Sequence, residues 1–167
     1  MFEKDQIVLI DTNVVLEAHR ASCWNAIANH FKLTTVEKVI EETQNGFQNR
    51  SPEQTIDEAS LRKSFHHIEV ISDKARADFA LAHPDVTLDP GERDLIIYAQ
   101  SIPVKSMWLL NSPDMAAVRF SHQSGWLDRL VSLEEMAKHI QARTSCNFKD
   151  NYTSNWLSIR KARLILG

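Results

Sequence analysis

The stretch QIVLIDTN, residues 6–13, joins a short apolar run to an abrupt polar ending. The apolar part, Ile7–Ile10, is rich in β-branched residues, which is typical of a buried central strand. Asp11, Thr12 and Asn13 then supply the polar side chains that favour a turn from a strand into a helix. The stretch therefore predicts a buried strand with a carboxylate directly after its last residue.

The rest of the chain alternates apolar runs with segments of helical spacing. Further strands are predicted at 32–36, at 68–71 (a strand or a connector), at 104–110 and, as an edge strand, at 128–131. Helices are predicted at 14–19, 24–31, 37–43, 51–65, 73–81, 89–101, 115–122, 132–143 and 154–166. Because such alternation favours βαβ crossovers, we expect a three-layer α/β/α fold with a central, mainly parallel sheet and helices on both faces.

Two helix starts carry the signature of a capping box. Ser51 is followed three residues later by Gln54, and Asp89 is followed three residues later by Glu92. In both cases a proline stands directly after the capping residue, as it often does in the first turn of a helix. We therefore expect Glu92 to have a structural role as the capping partner of Asp89.

Length and composition fit one globular unit. The chain has 167 residues, of which 43% are hydrophobic and 25% charged. Its apolar runs are far shorter than the roughly 20 residues of a membrane span, and the first residues do not resemble a secretory signal. Cys23 and Cys146 lack the clustered spacing of a zinc site or redox motif. We expect a cytoplasmic protein without membrane contact.

The charge is unevenly distributed. The formal net charge of −3 gives nucleic acid no general attraction. Residues 141–167, however, contain five Lys or Arg and one acid. We therefore divide the chain into a domain at 1–142 and a basic helical extension at 143–167. Weak candidates for substrate binding in that extension are Trp156, Arg160, Lys161 and Arg163. A closing helix with a solvated basic face is the alternative.

Acidic residues follow two of the predicted strands. Asp11 comes after 7–10 and Asp114 comes shortly after 104–110, and ligands collect at the carboxyl ends of strands in an open α/β sheet. Glu42 and Asp94 lie on helices that can reach the same crevice. Four acids in one place repel one another unless a cation neutralises them. Oxygen ligands of this kind suit Mg²⁺ or Mn²⁺.

The same segments resemble the PIN-domain ribonuclease family, and in particular its toxin-like members. Val8–Asn13 is similar to the family's opening strand with its first acid. Val39–Glu42, Gly91–Ala99 and Leu109–Asp114 are similar to the contexts of the second, third and fourth acids. The resemblance covers roughly 7–140. It implies that Asp11, Glu42, Asp94 and Asp114 are catalytic, that Asp11, Asp94 and Asp114 bind the metal, and that Thr12, Asn13 and Ser112 form supporting hydrogen bonds.

The resemblance also implies an activity. A metal-activated water would attack an RNA phosphodiester in line and leave 5′-phosphate and 3′-hydroxyl ends. Implied partners are the RNA substrate, an antitoxin or another protein, and a second copy in a homodimer. The alternative is a catalytically inactive PIN-like module that binds RNA or protein. A phosphatase of the haloacid dehalogenase type is less well supported, because its second Asp is replaced here by Asn13.

Overall fold

A computed structural model describes residues 2–46 and 49–167; Met1, at the start of the N-terminal segment considered above, lies outside them. Within these residues, four strands form one sheet in which every pairing is parallel. The strands are β1 (Ile7–Ile10), β2 (Lys32–Val36), β3 (His67–Glu69) and β4 (Trp108–Asn111). Helices cover the sheet, and the expected three-layer α/β/α fold is confirmed.

The helices of the described residues follow the strands in the expected alternation. They are α1 (Thr12–Arg20), α2 (Trp24–His30), α3 (Glu37–Thr43), α4 (Glu58–Ser64), α5 (Asp73–Ala82), α6 (Pro90–Ser101), α7 (Met115–Gln123), α8 (Leu133–His139) and α9 (Ser154–Leu166). None of these helices has the length and apolar character needed to cross a membrane.

The strand order places β1 in the middle of the sheet. The order is β3-β2-β1-β4, so the chain first moves outward from β1 and later returns to its other side. Val8, Leu9 and Ile10 are fully buried there, as their β-branched and aliphatic side chains favour. The direction of winding changes between β1 and β4, which makes the crevice at their carboxyl ends the topological switch point, where ligands bind in folds of this type.

The hydrophobic interior has two parts. A main core surrounds the sheet and includes the strand residues and the inner faces of most helices. A smaller cluster joins α5, α6 and α7 through Phe79, Ile96, Ala117 and Phe120. This second cluster supports the base of α7, which begins beside the switch point.

Two strand predictions are wrong. The strand predicted at 104–110 begins only at Trp108, and Val104 lies in an exposed turn. The edge strand predicted at 128–131 is instead a 3-10 turn, Leu127–Arg129, followed by a single parallel bridge between Leu130 and Leu110. The Arg129 guanidinium explains both differences, because it donates to the carbonyl oxygens of 104, 106 and 108 and holds the two segments together without strand pairing.

Two helix predictions are too long. The capping box of Ser51 and Gln54 is present, but it starts only a 3-10 turn, Pro52–Gln54. The chain is extended at Thr55, and α4 begins separately after Asp57, whose carboxylate accepts from the Ser60 N–H at 2.9 Å. The helix predicted at 132–143 ends at His139, because Gln141 adopts the left-handed conformation with φ of 53°.

Candidate active site

A pocket of about 180 Å³ lies at the carboxyl end of β1. We call it the acidic pocket, because carboxylates dominate its lining. It is lined by Asp11, Thr12, Asn13, Glu42, Asp89, Pro90, Glu92 and Asp114. The segment after β1, the end of α3 and the starts of α6 and α7 meet there. Of the acids predicted to form a site, the structure brings together Asp11, Glu42 and Asp114.

Asp11 forms the floor of the acidic pocket. Its backbone N–H donates to the Asn111 carbonyl oxygen at 3.3 Å, which continues the pairing of β1 with β4, and the residue is 4% exposed. The pKa of the Asp11 carboxyl is raised to about 7, chiefly by burial and also by the nearby carboxylates of Glu42 and Asp114, although hydrogen bonds from the Thr12 and Asn13 N–H groups oppose this rise. The hydrogen bonds from these N–H groups therefore offset the cost of a negative charge at this position only in part.

Glu42 reaches the acidic pocket from α3 and is held at both oxygens. The Thr12 hydroxyl donates to Oε2 at 2.6 Å, and the Gly91 N–H donates to Oε1 at 2.8 Å. Gly91 is in the first turn of α6, so Glu42 satisfies an N–H group that a capping residue would otherwise satisfy. A Cβ atom at position 91 would overlap the Glu42 carboxylate, and only glycine allows this close approach.

The capping-box prediction for Asp89 and Glu92 is wrong. The Asp89 side chain makes no cap hydrogen bond, because Glu42 occupies that place at the start of α6. Glu92 turns into the acidic pocket instead, is 5% exposed, and accepts from the Ser112 hydroxyl at 3.2 Å. Burial raises the pKa of Glu92 to about 8, with further contributions from Asp11 and Asp114.

Asp94 is not part of the acidic pocket. Its carboxylate is 1% exposed and forms ion pairs with Arg76 at 2.7 Å and with Arg93 at 2.9 Å. Residues two positions apart on an α-helix point about 200° away from each other. Glu92 and Asp94 therefore cannot both face the same cleft from α6. Glu92 is the one that lines the acidic pocket.

Helical spacing in the sequence contains the signal for Glu92. Glu92, Leu95, Ile96 and Ala99 follow the i, i+3, i+4, i+7 pattern of one helix face, and all four are buried. Glu92 thus lies at the N-terminal end of the stripe that faces the sheet. The apparent capping box led instead to the prediction that Glu92 is the capping partner of Asp89.

Asp114 lies at the mouth of the acidic pocket. It is exposed, and as the N-cap of α7 its Oδ1 accepts from the Ala116 N–H at 2.7 Å. Asp114 thus caps α7 and borders the acidic pocket at the same time. Pro113, directly before it, is buried.

The residues expected to support the acids occupy different places. Thr12 and Ser112 hydrogen-bond Glu42 and Glu92, respectively. Asn13 lines the acidic pocket on its exposed side. Glu41, the neighbour of Glu42, faces away and pairs with Lys38 at 2.8 Å.

The candidates in the C-terminal extension do not line the acidic pocket. The Lys161 ammonium donates to the Leu130 carbonyl oxygen at 2.8 Å, and the Arg160 guanidinium lies over the Trp156 ring at 5.4 Å. Trp156 packs against the main core, while Arg163 is exposed. Most of this basic set is therefore engaged in holding α9 in place.

The chemistry of the acidic pocket suits a hard divalent cation. All of its charged groups are carboxylates, the oxygen ligands that Mg²⁺ and Mn²⁺ prefer, and those of Asp11 and Glu92 are buried against other carboxylates. Within residues 2–46 and 49–167, no three His, Cys, Asp or Glu side chains converge closely enough to form a metal-binding group as they stand.

No protein-family model matches the sequence, and no curated protein is similar enough to be counted as a relative.

Proposed function

We propose that this protein is a metal-dependent endoribonuclease of the PIN type, which hydrolyses RNA phosphodiester bonds at the acidic pocket with Mg²⁺ or Mn²⁺. One contrast carries the proposal. The buried carboxylates of Asp94 and Glu17 each pair with arginine, whereas the buried carboxylates of Asp11 and Glu92 lie among other carboxylates, which raise their pKa values. Buried carboxylates that repel one another are costly to a fold, and a bound metal ion removes that cost.

The ligand set in this proposal differs from the one predicted from the sequence. Asp11, Glu92 and Asp114 would hold the metal ion, with Glu92 in the place given earlier to Asp94. Bound there, the ion would supply Lewis-acid stabilisation of the phosphate and a lowered pKa of water. Glu42 would contribute negative charge in a fixed orientation, because both of its oxygens already accept hydrogen bonds.

The protein's own contribution is to fix the carboxylates before substrate arrives. Thr12 and Gly91 orient Glu42, and Ser112 restrains Glu92. Asp114 is anchored through the Ala116 N–H while it remains open to solvent at the pocket mouth. A preorganised site of this kind favours the transition state, because its groups need little reorganisation during the reaction.

RNA as the substrate, internal cleavage and the biological setting are proposed from the resemblance to PIN domains. The same holds for a restraining antitoxin, for a homodimer and for a cytoplasmic location. A role as a toxin and a role in RNA processing are both compatible with the acidic pocket.

Cleavage of labelled single-stranded and structured RNAs in Mn²⁺, Mg²⁺ or EDTA tests the proposal. We expect metal-dependent cleavage that falls by about 100-fold or more in Asp11→Asn and Glu92→Gln, the scale seen when a preorganised electrostatic group is removed. Glu41→Gln is the matched control for Glu42→Gln, since the two glutamates are adjacent and only Glu42 lines the acidic pocket. Asp94→Asn should fold less stably but still cleave.

The contrary result would favour the alternative, a non-catalytic RNA- or protein-binding module. This alternative is supported by the observation that both Glu42 oxygens already accept hydrogen bonds from the protein. If the unaltered protein cleaves none of the RNAs, and if Mn²⁺ leaves its melting temperature unchanged, the metal site is disproved and the binding module becomes the better account.

A further inference from the structure

A second cavity, of about 230 Å³, lies along α7 beside the acidic pocket. We call it the Arg119 groove. One wall is the segment before α6, and the other is an outward side of α7. It is lined by Asp85, Val86, Thr87, Ala116, Arg119, Phe120 and Gln123.

The walls of the Arg119 groove continue those of the acidic pocket. On one side, Asp114 borders the pocket and its carboxylate is bonded to the N–H of Ala116, which lines the groove. On the other side, Thr87 in the groove precedes Asp89 in the pocket by two residues. Arg119 lies four residues beyond Met115, a rise of about 6 Å along α7.

The Arg119 side chain is exposed, and its positive charge is not paired within the described residues. It has no hydrogen bond, ion pair or ring contact within the described residues. The basic side chains on the α3 and α6 sides of the acidic pocket differ, because Lys38 pairs with Glu41 and both Arg76 and Arg93 pair with Asp94. A guanidinium that is not occupied by a carboxylate can bind a phosphate through two parallel N–H donors.

The base of the Arg119 groove is apolar and supported from behind. Phe120 is 3% exposed and its ring contacts those of Phe79, His83 and Trp126. Val86 and Ala116 extend this surface, and Thr87 and Gln123 add polar groups at the edge. Such a surface offers contact to a sugar or base while Arg119 takes the charge of the phosphate.

We infer that the Arg119 groove binds the phosphate next to the scissile one on a single nucleic acid strand, with Arg119 as its positioning residue. The inference rests on the proposed function of the acidic pocket and extends it to the class of substrate. A groove between one loop and one helix accommodates one backbone. In a net acidic protein, this contact would direct the strand across the acids.

The test measures binding apart from cleavage. Fluorescence anisotropy of a labelled single-stranded RNA in EDTA gives the dissociation constant for the unaltered protein, Arg119→Gln, Arg119→Lys and Arg143→Gln. Arg143 is the matched control, because it is also exposed and has no partner within the described residues but lies in the loop between α8 and α9. The same variants are then assayed for KM and kcat with Mn²⁺, and the duplex form of the RNA is the competitor.

We expect Arg119→Gln to weaken single-strand binding about five-fold at 0.1 M salt, as loss of one phosphate contact with release of about 0.7 counterion implies. The slope of log affinity against log salt should decrease by about 0.7, KM should rise, and kcat should change little. Arg119→Lys should retain most of the affinity, Arg143→Gln should match the unaltered protein, and the duplex should compete poorly.

Equal binding by Arg119→Gln and the unaltered protein, an equal loss in Arg143→Gln, or no RNA binding at all would overturn the inference. The two proposals fail separately. RNA binding that depends on Arg119 without any metal-dependent cleavage would disprove the nuclease proposal but support the Arg119 groove as a binding site. Cleavage with a KM that does not change in the Arg119 variants would disprove the role of the groove but support the nuclease proposal.

Discussion

Gly91 is the residue on which the position of Glu42 depends. A methyl group at 91 would displace the Glu42 carboxylate and deprive the Gly91 N–H of its acceptor. We expect Gly91→Ala to lower the free energy of unfolding by about 1 kcal/mol, the usual cost of a lost N-terminal helix cap. Metal-dependent cleavage should fall at least ten-fold, since Glu42 would leave its orientation.

A double-mutant cycle shows whether this loss acts through Glu42. In a Glu42→Ala background the carboxylate is gone, so Gly91→Ala should cost little further stability when both are measured by urea unfolding. An equal cost in the two backgrounds would mean that the methyl group clashes with something other than Glu42.

The C-terminal ends of helices differ in how well their sequence suits their conformation. Both α7 and α8 end with a left-handed residue, Gly125 with φ of 71° and Gln141 with φ of 53°. At each end the following N–H bonds back into the last turn, from Trp126 to Ser121 and from Ala142 to Ala137. Only the glycine adopts this conformation without steric cost.

We expect Gln141→Gly to raise the free energy of unfolding by about 1 kcal/mol and Gly125→Ala to lower it by a similar amount. Urea unfolding measures both, and Gln141→Ala is the control because it removes the side chain but keeps the strain. If Gln141→Ala stabilises the protein as much as Gln141→Gly does, the backbone conformation is not the cause.

At the scale of the element, α6 shows what the sequence predicted and what it did not. The helix was predicted at 89–101 and lies at Pro90–Ser101, because proline near its start and the spacing of apolar residues are local signals. The identity of its cap was not predictable in this way. Glu42 caps α6 from 49 residues away in the chain, and that contact exists only in the assembled fold.

At the scale of the whole molecule, a buried ion pair joins the first helix to the C-terminal extension. The Glu17 side chain is 1% exposed and accepts from Arg20 at 2.6 and 2.8 Å. It also accepts from the Lys149 N–H at 2.8 Å, and Arg20 donates to the Asn147 carbonyl oxygen. Burial alone would raise the pKa of Glu17, but the contacts with Arg20 and Lys149 outweigh it, and the pKa is lowered.

We expect Glu17→Gln to cost about 2 kcal/mol of unfolding free energy at neutral pH, because it leaves Arg20 without its counter-charge. Since the folded pKa lies below the ordinary value of 4.5, this stabilisation is complete above pH 4.5 and is lost as pH falls through the folded pKa. Urea unfolding of both proteins between pH 7 and strongly acid conditions should show the difference shrinking. A constant difference would contradict the lowered pKa.

The overall architecture followed from the sequence because each strand and helix carries its own pattern. The meeting of Asp11 with Asp114 followed too, since parallel strands place their carboxyl ends at one edge. The choice between Glu92 and Asp94 depended on which side of α6 faces the sheet and on Arg76, which comes from α5. The Arg129 contacts that replace an edge strand are likewise tertiary.

The fit of Gly91 against Glu42 also has a consequence for inheritance. In a lineage that keeps the glutamate at 42 in its present orientation, glycine is favoured at 91, since any side chain there would collide with the carboxylate. A lineage that loses the glutamate is released from that restriction and needs a new acceptor for the N–H group at the start of α6. The two positions should therefore change together, so that a side chain at 91 marks a descendant in which the carboxylate at 42 has moved or been lost.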